Sequence, residues 1–203
     1  PVYADRQLPT INGEPPNLTP TLVKARIALI IDDVGLERQP ADELLRVPLR
    51  LTWSVLPLAP YAREYTLAAK ERGFEIMMHQ PLETIAGKVN PGLGLIKRSW
   101  SEAEILRQLD LNLEQLPEAV GVNNHMGTTG PEDRFLTMIL MQELRRRKLF
   151  YVDSITDRSI AVQYAREYGV PYAKRQVFID HYRDLGANKV ALRELLKFAL
   201  KQG

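Results

Sequence analysis

Short apolar runs alternate with amphipathic stretches from Arg26 to the end of the chain. Ala28-Leu29-Ile30-Ile31 has strand length and is bounded by Arg26 before it and by Asp32-Asp33 and Gly35 after it. Runs of this kind predict strands over residues 27–32, 51–56, 74–79, 120–123, 149–152 and 177–180. Helical spacing predicts helices over residues 61–72, 101–115, 131–147, 160–168 and 187–201. Ser101 with Glu104 three residues on forms a capping box, and Pro131 suits a first helical turn. Gly73 and Gly169 each follow a predicted helix, as C′ glycines do. Strands alternating with helices imply βαβ units and an α/β fold with a mostly parallel sheet. Residues 1–25, rich in Pro, Asn and Thr, read as an extended N-terminal arm or linker, with the folded domain over 26–203. Residues 86–98 hold several Gly and Pro breaks and read as a long loop, a common place for function.

Polar residues close the predicted strands. Asp32-Asp33 follow the first, His79 ends the third, and Asn123-Asn124-His125 end the fourth. Asp153 follows the fifth strand and Asp180-His181 the sixth, so all 3 histidines of the chain fall in this set. In a parallel sheet the C-terminal strand ends lie along one edge, where distant residues converge. Adjacent carboxylates repel unless a positive group neutralises them. One Asp with two His suits Zn²⁺ or a similar divalent ion and leaves a position open for water. The candidate ligands are Asp33, His79 and His125, with Asp32 left as general base and His181 as a late general acid or a substrate contact. The chemistry this suits is hydrolysis of an ester or amide. Asn124, Asp153 and Asp180 are candidate substrate contacts at the same edge. Glu83 is a candidate for metal or substrate from a turn, since Pro81 prevents a helical pair with His79. Trp100, after the Gly-containing loop, either lines a sugar-sized groove or packs in the core. Plainer readings stand beside these: Asp32-Asp33 as a solvated turn with an N-cap, and each strand-end His as a hydrogen-bonded structural residue.

Composition narrows the choice. The 203 residues suffice for one domain with a core, and the net charge of +2 gives no reason to expect nucleic acid. The run Arg145-Arg146-Arg147-Lys148 ends a predicted helix, where the dipole favours cations. The absence of Cys excludes disulfides, thiolate catalysis and Cys-based zinc. No apolar run reaches the roughly 18 residues that span a bilayer. Ser54 and Ser154 lack a nucleophile elbow, and there is no Gly-x-Gly-x-x-Gly or Walker pattern. Met77-Met78, Met138 and Met141 suit core packing.

Five segments resemble the divergent polysaccharide deacetylase family: Ile30-Ile31-Asp32-Asp33-Val34-Gly35, Leu56-Pro57-Leu58-Ala59-Pro60, Met78-His79-Gln80-Pro81-Leu82-Glu83, Gly121-Val122-Asn123-Asn124-His125-Met126-Gly127 and Val152-Asp153-Ser154. Asn-Asn-His-Met-Gly is the most specific of them, and the resemblance runs from about Arg26 to the C-terminus. It implies a deformed (β/α) barrel of the NodB type and removal of acetyl groups from a glycan. It further implies Asp32 as general base, Asp33 as metal-binding Asp and His79 as first metal His. Classical members carry a second His four residues later, where this chain has Glu83; His125 would supply that imidazole from another loop. Asp153 and Asp180 match strand-end acids of the family. After Asn-Asn-His-Met-Gly the family usually continues with Ser-Arg-Phe-Thr-like residues, where this chain has Thr128-Thr129-Gly130-Pro131. The family also usually runs on past the position of Gly203 into a further strand and a Gly-His-Pro-like segment.

The resemblance therefore leads to the expectation of a metal-dependent deacetylase, with zinc or a similar divalent ion, acting on a cell-envelope glycan. The expected location is the periplasm or outside the cell, in keeping with a chain that starts at Pro1 as if processed. One alternative is an inactive relative that binds glycan or an envelope protein partner. Another is a metallohydrolase for a small amide.

Overall fold

The computed structural model describes residues 25–83, 90–126, 133–154, 159–182 and 184–202. Six strands form one sheet: β1 (Ile30–Val34), β2 (Thr52–Val55), β3 (Glu75–Leu82), β4 (Gly121–Met126), β5 (Phe150–Asp153) and β6 (Tyr172–Lys174). They lie in chain order, and every neighbouring pair is parallel. The helices between them are α1 (Arg38–Leu44), α2 (Ala62–Glu71), α3 (Glu102–Glu114), α4 (Arg134–Arg147) and α5 (Ala161–Glu167). Right-handed crossovers that all step the same way stack the helices on one face of the sheet. Among the described residues β1 and β6 are edges, so the sheet they form is not closed, as in a deformed (β/α) barrel. Residues 28–176 form this compact unit; 177–203 belong to a second unit that carries α6 (Leu185–Gln202).

Period-two alternation separates two kinds of surface. Trp53, Val55, Ile76, Met78, Val122 and Tyr151 join the main core with Tyr65, Ile105, Leu109, Ile139 and Leu144 from the helices. The alternate positions Met77, Phe150 and Val152 make a small apolar cluster of their own, with Ile30 and Val120 against it. Gly121 pairs with Phe150 across β4 and β5, and a Cβ at 121 would stand 2.3 Å from Phe150 Cε2. The ring therefore occupies the space of the missing side chain. Gly121→Ala is expected to cost about 1–3 kcal/mol by overpacking, read as a lower denaturant midpoint with an unchanged slope.

The capping box at Ser101 forms as its sequence signature predicts. Gly73 and Gly169 adopt φ of +74° and +68° after their helices. Asp133 caps α4, while Pro131 lies outside the described residues. The helix α1 has no counterpart among the predicted helices: it lacks a side-chain cap and carries Pro40 within it. The predicted strand over 177–180 does not form, and the sixth strand is Tyr172–Lys174, which follows α5 directly.

β3 continues past its predicted end at His79 to Leu82, with Pro81 inside it. β2 stops where Val55 pairs with Met78, so the later part of β3 meets β4 on one side and the segment around Ile96 on the other. Ile96 N–H donates to Pro81 O at 3.0 Å, and Glu83 N–H donates to Ile96 O at 3.1 Å. This pairing uses the proline's carbonyl and does not need the N–H that proline lacks. A buried set of amides pins the same loop: Asn112 Nδ2 donates to Gln80 Oε1 at 2.8 Å and to Gly94 O at 2.7 Å.

Candidate metal centre

The site begins with an irregularity in β1. The register to β2 shifts between Ile31 and Val34, and Asp33 has φ of +58°. Asp tolerates this left-handed region better than most side chains. In a regular strand Asp32 and Asp33 would face opposite sides of the sheet. The bulge lets both approach one imidazole. Asp33 Oδ1 lies 3.3 Å from His79 Nε2, and Asp32 Oδ1 lies 3.8 Å from His79 Nδ1. Gly35 holds the chain after the bulge at φ +107°, where a Cβ would meet Ala59 Cβ at 3.0 Å. Its carbonyl accepts Tyr61 N–H at 3.0 Å, which docks the turn after β1 on the start of α2.

His79 is carried by β3 and His125 by β4, on strands that pair directly. His125 Nδ1 lies 3.0 Å from His79 Nε2 and 3.1 Å from Asp33 Oδ1. The three donors are thus 3.0–3.3 Å apart from one another. Tetrahedral ligands about 2.0–2.1 Å from a zinc ion have edges of about 3.3 Å, so Asp33, His79 and His125 fit a divalent ion in donor type and in spacing. The imidazole side chains are sheltered, at 5% and 13% exposure, whereas those of Asp32 and Asp33 are 38% and 57% exposed. The open side of the group is therefore the carboxylate side.

Hydrogen bonds from His125 and His79 hold the Asp33 carboxyl well below the usual carboxylate range, against the opposing effect of burial. Burial disfavours the charged form of His79, but its bond to Asp33 and the charges of Asp32 and Asp33 outweigh that and raise its pKa.

Asn123 ties this group together from behind. Its Oδ1 lies 2.7 Å from His79 Nδ1 and accepts the Ser54 hydroxyl at 2.5 Å. Its Nδ2 donates to Asp32 Oδ1 at 2.8 Å and to Ser154 Oγ at 3.1 Å. Residues two apart on a strand share a face, so Asn123 lies on the side of His125, whereas Asn124 turns away.

The other expected contacts are placed differently. Asn124 is 2% exposed; its Oδ1 accepts Tyr151 O–H at 3.1 Å and Ser154 N–H at 2.9 Å. Asp153, 1% exposed, alternates with Val152 and so lies on the Tyr151 side, where its charge, after burial, helps push the Tyr151 phenol up. Strand alternation removes both from the face that carries His79. Glu83 follows β3 directly, and its Oε2 accepts Arg98 N–H at 3.0 Å, which fastens the loop. Trp100 packs against the main core, with Lys97 Nζ 5.9 Å from its ring centre. Asp180 and His181 end no strand: residues 179–182 form a turn and bend. They are exposed residues of the C-terminal unit, and the His181 ring lies edge-on to Phe178 and Tyr182, with centroids 5.7 and 4.6 Å away. Residues 127–132, with the Thr128-Thr129-Gly130-Pro131 departure, lie outside the described residues.

The sequence pattern of the divergent polysaccharide deacetylases matches residues 29–203. An uncharacterized protein of Haemophilus influenzae is 29% identical over 185 residues, which are 90% of this chain and 65% of that protein. The uncharacterized protein YibQ of Escherichia coli K12 is 29% identical over 187 residues, 92% of this chain and 58% of its own. The chain thus spans about three fifths of the length of these relatives. Among solved structures, uncharacterized protein ATU2773 of Agrobacterium tumefaciens C58 superposes with a TM-score of 0.83 at 19% identity, over 87% of this chain and 73% of that one. A lactam utilization protein of Thermus thermophilus gives 0.50 at 14% identity, over 73% and 65%. These likenesses support the α/β fold, and the match over residues 29–203 shows that the chain belongs to the divergent polysaccharide deacetylase family.

Proposed function

We propose that the protein is a metal-dependent deacetylase that hydrolyses acetyl groups on a cell-envelope glycan. The observation that carries this reading is the close set of Asp33, His79 and His125 with a second carboxylate, Asp32, beside the same imidazole. A divalent ion held by those three residues would supply Lewis-acid polarisation of an acetyl carbonyl and would acidify water. Asp32 takes the proton of the attacking water, and its partial exposure leaves it within reach of solvent. Asn123 holds the Asp32 carboxylate by one hydrogen bond and leaves its other oxygen for that task. The sheltered imidazoles leave the carboxylate side as the way in for a bulky polymer. A glycan of the envelope places the protein in the periplasm or outside the cell.

The test is to measure bound metal by elemental analysis and acetate release from acetylated chito-oligosaccharides, xylan and peptidoglycan fragments. Stoichiometric zinc or a similar ion, with release abolished by chelation and restored by the ion, is the expected result. A protein that holds no metal and releases no acetate from any of these would sink the reading. Glu83 in place of a second classical His favours a second reading, an inactive relative that binds glycan or an envelope protein. Bound metal with no acetate release from any substrate would select it.

A further inference from the structure

Asn123 is wholly buried, and its side chain bonds to the candidate base, to a candidate ligand and to two hydroxyls at once. The orientation of its amide follows from those partners. The amide nitrogen donates to Asp32 Oδ1 at 2.8 Å and to Ser154 Oγ at 3.1 Å. The amide oxygen then faces the Ser54 hydroxyl and His79 Nδ1, at 2.5 and 2.7 Å. Both ring nitrogens of His79 face an acceptor, Nδ1 the Asn123 amide oxygen at 2.7 Å and Nε2 the Asp33 carboxylate at 3.3 Å, and the shorter contact, within ordinary hydrogen-bond length, assigns the proton of the neutral ring to Nδ1. In the neutral ring this leaves Nε2 with its lone pair, and Nε2 is the nitrogen that faces Asp33 and His125. The chain of polarity runs from the charge of Asp32 through one amide to the ligating atom of His79.

We infer that Asn123 is a positioning residue that fixes His79 as the Nδ1–H tautomer, presenting Nε2 to the metal, and in the same amide orients Asp32 as the base. This rests on the deacetylase reading, but the tautomer can be measured without it. Partners of this kind behind a ligating imidazole typically contribute about 10–100-fold to metal affinity. Ser54 donates to the same amide oxygen and reaches His79 and Asp32 only through Asn123, so it serves as the control.

The test has two arms. In ¹⁵N-labelled, metal-free protein, at a pH high enough to leave His79 neutral, long-range ¹H–¹⁵N correlations report which ring nitrogen is protonated. The expected result is Nδ1–H in the wild type and in Ser54→Ala, and a shift toward mixed tautomers in the near-isosteric Asn123→Leu. Chelator competition should show zinc affinity about 10–100-fold weaker in Asn123→Leu and within a few fold of wild type in Ser54→Ala. An Nε2–H tautomer in the wild type would overturn the inference, and that spectrum decides even where Asn123→Leu does not fold. Wild-type zinc affinity in a folded Asn123→Leu would overturn it too. A wild type with Nδ1–H at His79 that neither binds metal nor releases acetate would support the tautomer assignment and sink the deacetylase reading instead.

Discussion

Exchanging Asp32 for Asn is expected to lower acetate release by about 10²–10⁴-fold, the usual worth of a positioned general base, with bound metal unchanged. Asn has the shape of Asp but cannot take a proton from water. Asp32 stands apart from the three mutually close donors: it lies nearer to His79 Nδ1 than to the ligating side and is held there by Asn123 Nδ2 at 2.8 Å. An amide at 32 can still accept that bond through its oxygen, so the surroundings keep their arrangement. The comparison that gives the result meaning is Asp33→Asn. Asp33 Oδ1 is within 3.3 Å of both imidazole nitrogens, so a neutral amide there should weaken metal binding itself. Turnover and metal content measured on both variants separate the two carboxylates. Loss of metal in Asp32→Asn would make Asp32 a ligand and remove its assignment as base.

His79→Ala should have the second large effect: no bound zinc, and no thermal stabilisation by zinc. A ligand present at about 100 times its dissociation constant adds about 2.7 kcal/mol to the stability of the state that binds it. For a chain of this size that corresponds to a rise in Tm of about 5–11 °C. The wild type should show that rise in differential scanning calorimetry with added zinc, and His79→Ala should melt at the same temperature with and without the ion. The effect is expected to be complete because His79 is the central donor. It touches His125 and Asp33 through Nε2, and its Nδ1 joins the group to Asn123 and, at longer range, Asp32. A zinc-dependent rise of the same size in the variant would place the ion elsewhere.

The elements readable in the chain are those whose signals are local. Apolar runs of strand length alternate with helical spacing, and a capping box at Ser101 or a glycine after α2 acts within a few residues. The strands β1 to β5 and the helices α2 to α6 therefore form close to their expected positions. The strand expected over 177–180 fails because a short apolar run does not by itself have a neighbour, and Tyr172–Lys174 takes the place beside β5. His79 and His125 could be placed near the end of paired strands because all parallel strands finish along one edge. Asn123 escapes a reading that picks out Asn124, although alternation from His125 is enough to choose between them: positions two apart share a face, and adjacent ones do not.

What the sequence alone determined is the set of parts: parallel βαβ units, a family motif, and an Asp pair and two imidazoles at strand ends. Only the tertiary structure decided how they meet. The left-handed turn at Asp33 brings two neighbouring carboxylates to one ring, which the pleat of a regular strand forbids. Asn123 and Asp32 are 91 positions apart, and the bond between them exists because three intervening crossovers bring β4 and β1 to the same edge. Local preference selects elements, but the direction of a side chain at a bulge and the partner of a buried amide depend on atoms that only the folded chain brings within reach.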